Sequence, residues 1–282
     1  MTTNSQSGTI DYYPDIPAEY RLPRPVEVWL PEGYDSSADD RYPVLYMHDG
    51  QFLFHHGRTP FEEKDWLWDV DTTMARLIKN GEIRATIVVS VWADLDEKPK
   101  RKLEFMPQKP VTDDVWEKMV ASDPEINGGK IISDKYLKFL VNDLKPFIDK
   151  TYKTQPDREN TFVSGSSMGG MISAYAIAEY PDIFGGAACL STHWNIGDGV
   201  VLDWYKDHWP DAGEHRVYFD YGTETLDADY EPYQLKMDEL MRNKGFQSGK
   251  DWITRKFDGA DHSPRSWRER LPIPLQFLLG KR

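Results

Sequence analysis

Short apolar runs alternate along this chain with stretches whose apolar positions recur at helical spacing. Residues 25–30 (PVEVWL) alternate apolar and polar side chains and stop at Pro31, as a strand does. Residues 42–47 (YPVLYM) read as a buried strand, and residues 85–92 (ATIVVSVW) are rich in β-branched residues, the pattern of strands buried on both faces. Residues 68–79 carry a helical period and end before Gly81. A helix is predicted over 134–150, with Ser133 or Asp134 as its N-cap. A strand over 160–164, a helix over 168–180 and strands over 186–191 and 215–221 follow. Then come a helix over 230–244 stopped by Gly245, a strand over 251–257, and two short helical pieces separated by Pro272 and Pro274.

This alternation predicts one α/β domain over residues 1–282, with a mostly parallel central sheet flanked by helices. Two irregular stretches interrupt it, 93–132 and 192–214, and loops of such length are commonly lids or binding loops. No internal repeat or low-complexity segment is present.

The strongest chemical signal is residues 163–170 (VSGSSMGG), which contain G-x-S-x-G centred on Ser167. A predicted strand precedes it and an Ala-rich helix follows, the context of the nucleophile turn in the α/β-hydrolase fold. Small residues are needed there because strand and helix approach closely. The hydroxyl is then presented at a helix N-terminus, which favours developing negative charge.

A serine hydroxyl needs a base. In this fold the order along the chain is Ser, acid, His. His208 falls in the irregular Trp-rich stretch, and His215 stands at the wrong end of its strand. His262, in residues 257–264 (FDGADHSP), follows the last strand, on the side where α/β sites form. The acid is expected in the loop after the 215–221 strand, which offers Glu224 and Asp227. Asp227 is preferred because its distance from the strand end leaves room to turn back toward the histidine, and Glu224 stays as the alternative. Two backbone N–H groups are expected to form an oxyanion hole: Met168, next to the nucleophile, and Gln51, after the 42–47 strand where Gly50 lets the chain turn.

Residues 45–51 (LYMHDGQ), 164–170 (SGSSMGG) and the histidine followed by Trp267 and Arg268 together resemble the putative-esterase family of α/β hydrolases. That family includes enterochelin-esterase-like enzymes, feruloyl esterases, S-formylglutathione hydrolases and mycolyltransferases. The resemblance runs from about Val26 to the C-terminus. It implies Ser167 and His262 as catalytic residues, with Gln51 and Met168 as oxyanion donors. Many relatives carry the acid three residues after the loop glycine, where this chain has Thr225.

Composition narrows the function classes further. The chain has 282 residues, 39 % hydrophobic and 29 % charged, with a formal net charge of −13. It has no basic stripe of the kind nucleic-acid binders carry, and residues 98–102, its longest basic stretch, are short and flanked by acids. The single cysteine, Cys189, lies in an apolar run and reads as a small core residue. The first ten residues lack the features of a signal peptide, and no apolar run approaches the roughly 20 residues of a membrane span. A soluble chain is expected, with its compartment open. There is no H-E-x-x-H, no Cys cluster, no P-loop and no dinucleotide fingerprint, so no metal or cofactor is expected. His55-His56 reads as a solvated loop pair.

The expected reaction is serine-esterase hydrolysis of sugar, phenolic or other small acyl esters. Trp92, Trp194, Trp204 and Trp209 are candidates for a flat-walled cleft, and Arg101, in the first irregular stretch, for a substrate contact. An acyltransferase with the same triad, or an inactive binding protein on the same fold, are the alternatives.

Overall fold

The computed structural model describes residues 2–5, 7–16, 19–20, 24–54, 66–94 and 100–281. His55, His56 and Lys98, weighed above, lie outside them.

Among the described residues nine strands form one sheet: β1 (Thr2–Ser5), β2 (Gly8–Tyr13), β3 (Val26–Pro31), β4 (Val44–His48), β5 (Ile87–Val91), β6 (Thr161–Ser166), β7 (Gly186–Leu190), β8 (Arg216–Gly222) and β9 (Trp252–Phe257). Their order across the sheet is β1-β2-β3-β5-β4-β6-β7-β8-β9. The first three strands join antiparallel, and β5, β4, β6, β7, β8 and β9 run parallel. Every residue of β4, β5, β6 and β7 is buried, which is why β4, β5 and β7 read as largely apolar runs.

Side chains alternate faces along each strand. Val44 and Tyr46 enter one core with Val89, Val163, Ile172 and Tyr175. Leu45 and Met47 enter the other with Val88, Phe162, Leu190 and Trp267. The helices α1 (Val70–Lys79), α2 (Lys100–Phe105), α3 (Asp113–Ser122), α4 (Ser133–Lys138), α5 (Lys145–Thr151), α6 (Met168–Glu179), α7 (Val200–His208), α8 (Glu231–Asn243), α9 (Pro264–Arg270) and α10 (Pro272–Leu279) flank the sheet. α1, α9 and α10 contribute to the second core, and α4 to α8 to the first. None of the described helices is long and apolar enough to cross a membrane.

Four features depart from the sequence reading. β1 and β2 lie where only a polar start was seen. β2 buries Ile10 alone and is held by its ladder to β3, which needs no apolar side chains. The predicted helix over 134–150 is α4 and α5 joined by a π-helical segment, Phe139–Leu144. Pro146 has no N–H to give to the preceding turn, and a widened turn accommodates its ring. Neither Ser133 nor Asp134 caps this helix, whose N-cap is Ile132. The two irregular stretches hold helices: α2 and α3 in 93–132, and α7 in 192–214. α2 has six residues and α3 buries only Met119, so neither shows a helical period in the sequence.

Candidate active site

Because β4 and β6 to β9 run parallel, the loops that follow them leave the sheet on one edge. Four of them supply the site. β6 passes into α6 through Ser167, whose backbone takes φ 57, ψ −120. A non-glycine residue there costs on the order of 1–3 kcal/mol. The turn is held by Ser167 N donating to Leu190 O at 2.9 Å and Met171 N donating to Ser167 O at 3.1 Å. The glycines around it sit where space is short. A Cβ on Gly165 would lie 2.7 Å from the Gly169 backbone, one on Gly169 3.1 Å from Asp49 Oδ2, and one on Gly170 2.7 Å from Thr192 Oγ1.

After β9, His262 reaches back across the sheet edge. Its Nδ1 lies 2.5 Å from Asp227 Oδ1. Asp227, in the 3-10 turn Thr225–Asp229 after β8, is 1 % exposed. Its other oxygen accepts Gly222 N–H at 2.6 Å and the Ser191 hydroxyl at 2.5 Å. Ser191 Oγ in turn accepts Trp267 Nε1 at 3.0 Å and Arg270 Nη2 at 2.6 Å. Burial by itself raises the Asp227 pKa, but the bonds from His262, Ser191 and Gly222 outweigh it and hold the carboxyl below its ordinary range. Asp227 is therefore ionised at neutral pH. Arg270 also pairs with buried Asp220 at 2.9 Å, so one guanidinium lies near two carboxylates.

Glu224 is exposed, and its backbone N–H donates to Ala260 O at 3.0 Å. Thr225 accepts the His262 backbone N–H at 2.9 Å. The position where relatives were expected to carry the acid thus steadies the histidine's main chain.

Met168 opens α6, and Gln51 lies in the single 3-10 turn Gly50–Phe52 after β4. The first N–H groups of a helix have no intrahelical acceptor, so both are available donors. Gln51 is 2 % exposed and its side chain is committed to the loop, Oε1 accepting Ala93 N–H at 3.0 Å. Between them Asp49, at φ 58, packs over Gly169 and receives Arg101 in a bidentate pair at 2.5 and 2.6 Å. Arg101 lies at the cleft. Its charge is already matched by Asp49, so it offers donors rather than net positive potential.

These groups open into a cleft of about 550 Å³, lined by Ser167, His262, Asp49, Arg101 and an aromatic wall. The wall is not the one expected. Phe52 and Trp66 stack with centroids 6.2 Å apart, Trp68 meets Trp267 at 5.5 Å, and Trp267 stands edge-on to His262 at 5.0 Å. Trp194 is fully buried with its indole N–H on Gln234, and Trp209 is 2 % exposed, so both are core residues. Trp204 stacks on His208 at 4.0 Å, and the Trp92 indole N–H donates to Glu27. None of these four lines the cleft. Phe52 follows Gln51 directly, and Trp66 and Trp68 lie shortly beyond it, a signal legible only once the Gln51 loop is known to face the nucleophile.

Two further residues escaped the sequence reading. The Tyr230 hydroxyl lies 2.6 Å from His193 Nδ1, and the Tyr230 ring stands edge-on to His262 with centroids 5.7 Å apart. No motif marks either residue.

Residues 19–278 match the family described as "Putative esterase". A stretch of 171 residues, 58 % of this chain, is 28 % identical to an endo-1,4-beta-xylanase/feruloyl esterase of Xylanibacter ruminicola, of whose length it spans 19 %. Among solved structures, a ferulic acid esterase superposes with a TM-score of 0.67 at 19 % identity, over 96 % of this chain and 97 % of that one. The enterobactin esterase FES from Shigella flexneri superposes with a TM-score of 0.66 at 19 % identity, over 95 % of this chain and 58 % of its own. At such identities the structural likenesses speak to the α/β-hydrolase-type fold alone.

Proposed function

Because the chain belongs to the putative-esterase family, and is thereby an esterase of carboxylic esters, we propose that it works through Ser167, His262 and Asp227. The observation that carries this reading is the 2.5 Å contact between His262 Nδ1 and ionised Asp227, in the same cleft as the Ser167 turn. Asp227 fixes the imidazole proton on Nδ1 and leaves Nε2 as the base. Ser167 Oγ attacks the ester carbonyl and its proton passes to Nε2. The tetrahedral oxyanion is met by the N–H groups of Gln51 and Met168. The imidazolium then protonates the leaving alcohol, and the same histidine activates water to release the acid. Gly222, Ser191, Trp267 and Arg270 act behind the carboxylate, holding its second oxygen so that the first stays aimed at the histidine.

The wall of Phe52, Trp66, Trp68 and Trp267 suits a flat group, so phenolic and sugar esters are the proposed substrates. The feruloyl esterase in the name of one relative agrees with this. Arg101 is proposed to donate to a hydroxyl or carbonyl of the substrate. Turnover of methyl ferulate and acetylated sugars, compared with p-nitrophenyl esters of straight-chain acids, tests the assignment. A clear preference for straight-chain acyl groups would count against the aromatic wall as the binding surface.

The base has its own test. His262→Ala is expected to lose both turnover and labelling by a fluorophosphonate. His208→Ala and His215→Ala are expected to keep both, since His208 bonds its own helix at Trp204 O and His215 bonds Pro181 O. Full labelling of the His262→Ala protein would assign the base elsewhere.

A further inference from the structure

The turn that presents Gln51 is shaped by Asp49, which the scheme above does not use. Asp49 precedes the turn with a left-handed backbone, φ 58, ψ 43, and is 6 % exposed. Asp and Asn are among the few residues other than glycine that tolerate that conformation. The Asp49 carboxylate is clasped by Arg101, Nε on Oδ1 at 2.5 Å and Nη2 on Oδ2 at 2.6 Å. The same Oδ2 packs against Gly169, the residue after the other donor, Met168. One carboxylate thus joins the two elements that form the proposed oxyanion hole.

Arg101 is itself anchored. It shares α2 with Glu104, one turn further on and a neighbour on the helix surface. Glu104, 2 % exposed, accepts both terminal nitrogens of buried Arg24, Nη1 at 2.8 Å. The Arg24 guanidinium lies 5.1 Å from the Tyr136 ring centre, and the Tyr136 hydroxyl lies 2.7 Å from His48 Nδ1. His48 directly precedes Asp49. Burial, followed by the charges of Arg101 and Arg24, pulls this histidine down to about 3, so it brings no positive charge to the turn. Arg101 is the cation paired with Asp49.

We infer, on the serine-esterase reading, that Arg101 is a positioning residue for the oxyanion hole. It acts through Asp49, by holding that carboxylate in place and cancelling its charge. When Ser167 Oγ bonds to the ester carbon, the carbonyl π pair moves onto oxygen. Negative charge then grows beside the Gln51 and Met168 N–H groups. An unbalanced carboxylate against Gly169 would oppose that charge, in a site where little water screens it. It would also be free to leave Gly169 and loosen the turn that aims Gln51 N–H. The ground-state ester carries no such charge, so the effect falls on kcat. A direct bond from Arg101 to the substrate is a separate contribution, made before the chemical step, and falls on KM.

A double-mutant cycle separates these contributions. Arg101→Met keeps an unbranched stem and removes the guanidinium. The expected result is a fall in kcat of about tenfold to hundredfold, short of the loss on deleting an oxyanion donor outright. Binding of a trifluoromethyl ketone, whose adduct with Ser167 carries an oxyanion, is expected to weaken in parallel. Asp49→Asn suits the left-handed backbone and leaves no charge to balance, so its kcat is expected within about tenfold of wild type. On the D49N background, R101M is expected to change kcat by less than about threefold. The double variant is therefore expected to turn over faster than R101M alone. The inference is overturned if R101M keeps wild-type kcat or changes KM alone. It is equally overturned if R101M costs the same factor in kcat on both backgrounds, or if the ketone binds R101M as it binds wild type. If unpaired Asp49 keeps R101M from folding, D49N and D49N/R101M decide, since neither carries that carboxylate. A drop in kcat of about tenfold or more between those two overturns the inference. Absence of fluorophosphonate labelling at Ser167 in the wild-type protein would overturn it together with the esterase mechanism on which it rests.

Discussion

Asp227→Asn is expected to lower kcat by on the order of 10⁴ while leaving the fold intact, the loss seen when the same change is made in a serine-protease triad. The surroundings of Asp227 give the reason. One carboxylate oxygen already accepts Gly222 N–H and the Ser191 hydroxyl, and an asparagine must keep its carbonyl oxygen there. Its NH₂ group then faces His262 Nδ1. A donor in that place forces Nδ1 to accept, which moves the imidazole proton to Nε2. That nitrogen can no longer take the proton of Ser167, and the negative charge that stabilises the imidazolium is gone as well. Glu224→Gln is expected to cost far less, because Glu224 is exposed. Steady-state kcat for the two variants decides between the carboxylates. An Asp227→Asn enzyme within about tenfold of wild type, beside a crippled Glu224→Gln enzyme, would reverse the assignment.

Ser167→Ala is expected to cost 10³-fold or more in kcat, the loss typical of removing a triad nucleophile. Alanine inherits the same strained backbone and the same hydrogen bonds from the main chain, so stability should hardly change. The oxyanion donors also remain, and the residual rate should stay above that of the uncatalysed reaction. Ser166→Ala is the matched control. Ser166 ends β6 and also reaches the cleft, but it does not occupy the turn. Labelling of both variants with a fluorophosphonate, read by mass of the modified peptide, reports the nucleophile directly. More than about a hundredth of wild-type kcat in Ser167→Ala would exclude it.

The sequence by itself determined those features that local sterics and burial dictate. The Ser167 turn was legible because a Cβ on Gly165 or Gly170 would lie 2.7 Å from its neighbours and one on Gly169 would be tight, and that crowding writes itself into adjacent residues. The central strands β4, β5 and β7 were legible because burial on both faces demands largely apolar runs. His262 followed from its place after the last strand. The proposed acid was only half legible. Glu224 and Asp227 lie in one loop, and the choice between them depends on the 3-10 turn that buries Asp227 beneath His262 and leaves Glu224 in solvent. What the tertiary structure alone decided are contacts between segments far apart in the chain. Trp194 and Trp66 look alike in the sequence, yet one fills the core and the other forms the cleft wall with Phe52. The support of Asp227 by Ser191 and Arg270, and the approach of Tyr230 to His193 and His262, arise only because parallel strands deliver their loops to the same sheet edge. No residue in those loops carries a local mark of its neighbours, since a hydrogen bond across the fold constrains where two side chains meet and not what stands beside either of them in the chain.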